Sequence, residues 1–278
     1  MPHLKLHVVC IDVQNDFTDP NGALYVKGGD ENAKRSAKMI ERLSDRITDV
    51  HVTMDSHHRV DISHPCFWQD DNGKEPGPFT GVVLENDQLM FLNYVTGAKQ
   101  PARTRIPSAR ERATKYIRAL GANARYPHTI WPVHCLIGDP GHNLNKDLAA
   151  AIHGWEDKRF ALSDVVTKGS NPWTEHFSAV KAEVPDPEDP STQVNRRLVE
   201  TLEQADLVVW VGEALSHCLA NTFRDVVANF SDPTLVKKMH LCTDGSSSVP
   251  GFEHFGTDFI TEMKAKGMNL TTTADFLA

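Results

Sequence analysis

The stretch from Asp206 to Phe230 restricts the fold more than any other part of the chain. It joins an apolar run, a short turn and an amphipathic segment that opens on a cysteine. Leu207 to Val211 is β-branched and aromatic without polar interruption, the pattern of a strand buried on both faces of a parallel sheet. Beyond the turn, Leu219, Phe223, Val226, Val227 and Phe230 recur at helical spacing. With Ser216 as N-cap, Cys218 falls in the first helical turn, near free backbone N–H groups and the positive end of the helix dipole. Those conditions favour a thiolate nucleophile; the alternative is a buried cysteine that packs as a small hydrophobe.

The same strand-then-helix pattern repeats along the chain. Leu4 to Val13 reads as a buried strand with Asp12 near its end, and Asn32 to Ile47 as an amphipathic helix capped by Asp30. Asp49 to Met54 is a second strand, delivering Asp55 and His57. Phe160 to Val166 reads as a strand leading to Lys168, Asn195 to Ala205 as a helix, and Lys238 to Cys242 as a strand. A helix at about Phe255 to Lys266 and a strand at Met268 to Thr273 end the pattern. This alternation predicts an α/β chain of three layers, α/β/α, around a central, mostly parallel, Rossmann-like sheet.

One region breaks the pattern. From Cys66 to about His128 the sequence is turn-rich, as in QDDNGKEPGPFTG, and shows no long periodicity before Ala102. It reads as an insertion at about 65–128, after the second strand, within a single domain spanning 1–278. Ser108 and Glu111 have the capping-box spacing ahead of a helix. The basic residues from Arg103 to Arg125 read as a solvated face.

A net charge of −8 argues against nucleic acid or an anionic membrane as the main partner. Five cysteines at irregular spacing do not form a disulfide framework, which suits a reducing compartment. MPHLKLHVVCIDVQNDF lacks the basic region and cleavage site of a secretory signal, so a cytoplasmic location is expected.

Three polar residues fall at the ends of expected core strands: Asp12, Lys168 and Cys218. Strand ends on one edge of a parallel sheet converge, so a base, a cation and a thiol from distant segments can meet there. Asp55, His57, His64 and His134 form a second set with the donor types of a site for a divalent ion.

The segments IDVQNDF, TMDSHH, WPVHC, TKG and VGEALSHC, in that order, resemble the isochorismatase-like cysteine hydrolase superfamily and most of all its nicotinamidase/pyrazinamidase branch. The resemblance implies an isochorismatase-like hydrolase fold, with Asp12 as general base, Lys168 as partner of the thiolate and Cys218 as nucleophile. It implies an oxyanion hole from the backbone N–H groups of Ala214 and Cys218, after a cis peptide between Glu213 and Ala214. Asp55, His57 and His134 match positions that hold a divalent metal ion, zinc first, with iron or manganese also suited. Phe17, Trp131 and Phe177 match aromatic pocket positions.

Two departures stand out. Asp61 occupies the place of a further histidine, so His64 is expected to supply that ligand from a shifted position or the site is remodelled. Glu213 replaces an aliphatic residue beside the oxyanion hole, where it is either buried and protonated or reads a polar substrate. The expected activity is hydrolysis of nicotinamide or a related small carboxamide, a small-molecule amide substrate, through a cysteine thioester. Other branches act on a different amide, a carbamoyl compound or a vinyl ether. A homo-oligomer is expected, with the insertion capping the pocket or forming a subunit contact.

Overall fold

The computed structural model describes residues 4–123 and 126–278; Arg125, at the end of the basic run, lies outside them. In chain order, β1 (Leu6–Ile11), the single turn α1 (Asn15–Thr18), α2 (Gly29–Leu43) and β2 (Ile47–Asp55) precede the insertion. The insertion holds β3 (Trp68–Gln69), β4 (Thr80–Glu85), β5 (Gln88–Asn93), β6 (Lys99–Pro101), β7 (Arg103–Thr104) and α3 (Arg110–Asn123), and β8 (His128–Ile130) closes it. Then follow α4 (Lys146–Arg159), β9 (Asp164–Lys168), α5 (Arg196–Glu203) and β10 (Leu207–Gly212). The last elements are α6 (Cys218–Asn229), β11 (Met239–Cys242), α7 (Glu253–Lys266) and β12 (Asn269–Thr271).

The long apolar runs become one sheet in the order β12-β11-β10-β1-β2-β9, and every pairing in it is parallel. Alternation along each strand divides its side chains between two helical layers. Val8 and Cys10 of β1, with Val209 and Val211 of β10, pack towards Ile40 of α2 and Trp155 of α4. Val9, Ile11, Val208 and Trp210 point the other way, into a cluster with Leu202 of α5, Phe223 of α6 and Phe259 of α7. This is the three-layer α/β/α arrangement that the sequence predicts.

The winding reverses between β1 and β10: the chain moves outward through β2 to β9, then returns to build β10, β11 and β12 on the other side. A crevice forms at the carboxyl ends of strands at such a reversal. Asp12 follows β1 and Cys218 follows β10, so both lie at that point. Asp55 and Lys168 are register partners across β2 and β9.

The insertion has a core of its own, including Trp68, Val82, Phe91, Ile117 and Ile130. Its antiparallel sheet runs β6-β5-β4-β8. The β4–β5 hairpin was not expected from the sequence, yet its turn is marked by Asn86 and Asp87, with φ of 49° and 62°. Two left-handed central residues are what a two-residue hairpin loop demands, and Asn and Asp tolerate them.

Several local expectations need correction. Phe160 does not enter a strand: it is the left-handed C-cap of α4, and β9 begins only at Asp164. The N-cap of α2 is Gly28, with φ 93°, and Asp30 lies inside the helix, accepting a hydrogen bond from the Tyr25 hydroxyl at 2.8 Å. Ser108 sits within a 3-10 turn, Pro107–Ala109, that leads into α3. Among the described residues, no helix is long and apolar enough to cross a membrane.

Candidate active site

Asp12 leaves β1 in a left-handed conformation, φ 45°, which turns its side chain into the crevice. Its backbone N–H donates to Thr53 Oγ1 at 3.0 Å, and Thr53 Oγ1 donates to Asp12 Oδ1 at 2.5 Å. Lys168 ends β9 and reaches over β2, with Nζ 2.9 Å from Asp12 Oδ2, 3.0 Å from Asp55 Oδ1 and 3.5 Å from Cys218 Sγ. The structure therefore brings together the three residues picked out at strand ends, and all are buried.

Burial raises the proton affinity of the Asp12 carboxyl, opposed by the Lys168 ammonium and reinforced by Asp55. Burial also pushes the Cys218 thiol well above its ordinary range, with Lys168 acting in the opposite direction. For Lys168, burial alone would favour the neutral amine, but Asp12, Asp55 and Cys218 outweigh it and hold the ammonium. The resting arrangement is a protonated thiol beside a fixed cation and a carboxylate with an enhanced appetite for a proton.

The turn between β10 and α6 is shaped by close backbone approach. Gly212 has φ 114°, and a Cβ there would collide with the Ile11 backbone, so only glycine fits the crossing. The Glu213–Ala214 peptide is cis, as expected. Cys218 is the first residue of α6, capped by His217 instead of Ser216. The Ser216 hydroxyl accepts a hydrogen bond from the Val249 backbone at 3.0 Å and so ties the turn to the loop after β11. Among the described residues, no carbonyl or side chain takes the backbone N–H of Ala214 or Cys218. Both donors are free for an oxyanion at the head of the helix.

Glu213 does not face the cavity, which corrects its expected place among the substrate-binding residues. Its carboxylate accepts from Asn32 Nδ2 at 2.7 Å and from the Ser247 backbone at 2.9 Å, joining the turn to α2. Burial pushes its pKa up to about 8 against the lowering effect of those bonds.

Beside the thiol, one donor nitrogen each from His57, His64 and His134 converge within 4.8 Å of one another, and all three rings are buried. Asp55 joins them, with Oδ2 3.2 Å from His57 Nε2 and 3.4 Å from His134 Nε2. The far nitrogen of each ring is accounted for. His57 Nδ1 lies 3.0 Å from Asp61 Oδ2, His64 Nδ1 3.3 Å from the Arg59 carbonyl, and His134 Nδ1 2.8 Å from the Pro132 carbonyl. Such outer contacts fix each imidazole tautomer and aim the opposite nitrogen inward. The Nε2 atom of His64 is buried with no hydrogen-bond partner, and that of His57 meets only the Asp55 carboxylate. Burial alone would lower the pKa of His57, yet Asp55 and Asp61 hold it well above the usual range, whereas burial and the two other rings push His64 down to about 3. Three converging imidazole nitrogens, one of them without a partner, beside a carboxylate are a donor set that fits a divalent ion. His64 is the third histidine of this cluster, and Asp61 lies behind His57.

Two residues of IDVQNDF that the sequence reading left without a role assemble these loops. The Gln14 amide clasps the backbone of Asp55, donating to its carbonyl at 2.8 Å and accepting from its N–H at 2.7 Å. Asp16 accepts from the backbone of Cys135 at 2.6 Å and of Ala23 at 3.0 Å, fixing the segment that carries His134.

The cavity over the sulfur is walled by Phe17, Trp131 and Phe177, as expected, with Asp55, His134, Ala214 and Cys218 at its base. Leu24, Glu175, His217 and Val249 complete it, and sequence reasoning missed all four. Trp131 Nε1 donates to Glu175 Oε2 at 3.1 Å, which sets the indole plane. Free room is about 30 Å³, about the share of one water molecule in the liquid.

No family model matches the sequence. No curated protein matches it either. Solved structures do resemble it in fold. A yeast nicotinamidase bound to the inhibitor nicotinaldehyde aligns with a TM-score of 0.61, at 17% identity, over 96% of this chain and 99% of that one. An isochorismatase family protein from Desulfovibrio vulgaris gives 0.53 at 14% identity, over 98% and 95%. A pyrazinamidase of Pyrococcus horikoshii in complex with zinc gives 0.52 at 17% identity, over 96% and 99%. The chain has the isochorismatase-like fold.

Proposed function

We propose that this protein is a metal-containing cysteine amidohydrolase of the nicotinamidase type, converting nicotinamide or a related small carboxamide to the acid and ammonia. The observation that carries this reading is Lys168 Nζ standing 2.9 Å from Asp12 and 3.5 Å from the Cys218 sulfur, under an aromatic cavity. The fold shared with the yeast nicotinamidase and the Pyrococcus pyrazinamidase supports it.

Asp12 takes the thiol proton as the sulfur of Cys218 attacks the amide carbon. The carbonyl π pair moves onto oxygen, where the N–H groups of Ala214 and Cys218 receive the charge. Collapse restores the carbonyl and breaks the C–N bond, while Asp12 returns its proton to nitrogen, which leaves as ammonia. Water, deprotonated by Asp12, then attacks the thioester; sulfur departs, recovers the proton, and the acid is released. Lys168 stays charged throughout and stabilises the thiolate.

Asp55, His57, His64 and His134 would hold the divalent ion, whose donor set suits zinc, iron or manganese. When bound, that ion supplies an attachment point for the ring nitrogen of a pyridine-type carboxamide. Ammonia release from nicotinamide by the metal-loaded protein tests the reading. Loss of release in Cys218→Ala with an unchanged circular dichroism spectrum is expected. Full activity in that variant would remove the mechanism, and no release from any small carboxamide by the unaltered protein would remove the substrate class.

A further inference from the structure

The catalytic cavity shares two of its walls with a second space. Phe177 and His217 belong both to that cavity and to a neighbouring groove of about 720 Å³. The insertion contributes Phe79, Tyr94 and Val95 to the groove, and the segment entering α7 contributes Phe252 and Phe255. Trp131 carries the aromatic surface from one space to the other, its ring 5.9 Å from Phe79 and 5.8 Å from Phe252.

Charge sets this groove apart from the rest of the molecule. Among the described residues no Asp, Glu, Lys or Arg lines it, although 24% of the chain is charged. At its rim Val95 is 95% exposed and Phe79 42% exposed. An apolar surface left open to water, sharing walls with the cavity of a nucleophile, favours an apolar occupant that arrives with the substrate. Because the inner cavity has so little room, bulk on a substrate needs space beyond it, and the groove that shares two of its walls offers that space.

We propose that the groove is a substrate subsite: the chain hydrolyses carboxamides that carry an uncharged aromatic or alkyl extension, and that extension lies between the hairpin of the insertion and Phe252. The proposal rests on the amidohydrolase reading and sharpens its substrate class. The extension improves kcat/KM because binding energy gained away from the reacting bond holds the carbonyl over Cys218.

The test compares nicotinamide with a phenyl-substituted nicotinamide and with N-benzyl nicotinamide, using the full-length, metal-loaded protein and following the acid product. At least one extended amide is expected to exceed nicotinamide in kcat/KM by about tenfold or more. Val95→Asp and Phe255→Ala are each expected to lower that value about tenfold while leaving nicotinamide within about twofold. Thermal melts identify any variant that fails to fold, and Val95→Asp changes only an exposed side chain. Nicotinamide turnover with no advantage for either extended amide overturns the subsite and leaves the amidohydrolase standing. A loss shared equally by nicotinamide also overturns it, since that marks a structural role. Absence of turnover for every amide overturns both. A concentration-dependent dimer abolished by Val95→Asp, with no change in extended-amide kinetics, assigns the groove to a second copy of the chain and overturns the substrate assignment.

Discussion

The parallel sheet and the loops flanking the inserted antiparallel layer contribute to one cavity by different means. The sheet fixes Asp12, Lys168 and Cys218 through strand register at the point where the winding reverses, so backbone pairing alone brings them within reach. The inserted layer and its flanking loops place His64, Phe79 and Trp131 through hydrogen bonds and packing specific to this chain. Reactive groups therefore come from the regular half, while shape and much of the cation site come from the irregular half. A sheet can keep its chemistry while the layer above it changes what it admits.

Replacing the nucleophile is the strongest test of the regular half. Cys218→Ala should lower ammonia release by at least about 10⁴-fold while the melting temperature stays near the wild-type value. A residual rate within tenfold of wild type would separate the sheet from the chemistry. Next in size is Glu213, whose ordinary carboxyl pKa is lifted by burial to about 8. Between about pH 4.5 and 8 the unfolded chain loses this proton before the native chain does, so native stability falls as pH rises through that window. The loss amounts to a few kcal/mol. Glu213→Gln should flatten that slope in urea titrations at pH 5 and pH 8, and an unchanged slope would show that the group is not held neutral.

The irregular half is probed by Asp61→Asn, which removes the carboxylate behind His57. Metal affinity should fall by about 10- to 100-fold, read by competition with a chromophoric chelator, while thiol alkylation at Cys218 stays unchanged. Equal affinity in the two proteins would mean that the His57 ring is oriented by packing alone. The smallest effect is expected at the hairpin turn. Asp87→Gly completes the favoured Asn-Gly pair and gives up only an exposed contact with Arg118. It should be neutral or stabilising by up to about 0.5 kcal/mol, with nicotinamide turnover untouched.

How far each half can be read from sequence follows from the same difference. An unbroken apolar run announces β10 and largely apolar ones announce β1 and β2, and the polar residues at or just beyond strand ends or opening a helix announce Asp12, Lys168 and Cys218. The strand expected at Phe160 fails because apolar letters there do not report burial: Phe160 is 99% exposed and Leu162 87% exposed. The β4–β5 hairpin was legible in principle, since Asn86 and Asp87 separate two apolar stretches, but the absence of long periodicity masked it. Glu175 and His217 gain their roles only through partners or cavities that folding creates, and no spacing along the chain foreshadows them; the position of Asp61 stands out in the sequence, whereas its contact with His57 does not. Glu213 shows the reverse error: its place beside the oxyanion hole in sequence suggested a contact, while its side chain turns to Asn32.

Asp55 offers one oxygen to Lys168 and the other to the histidines. A single side chain is thereby answerable to two neighbouring tasks. Under the proposed reading, substitution there is expected to damage proton handling and cation retention together, so a dead variant at this position cannot be attributed to either from a turnover assay. Change at residue 55 is penalised twice, while His64 and Lys168 remain the places where the two tasks can be pried apart.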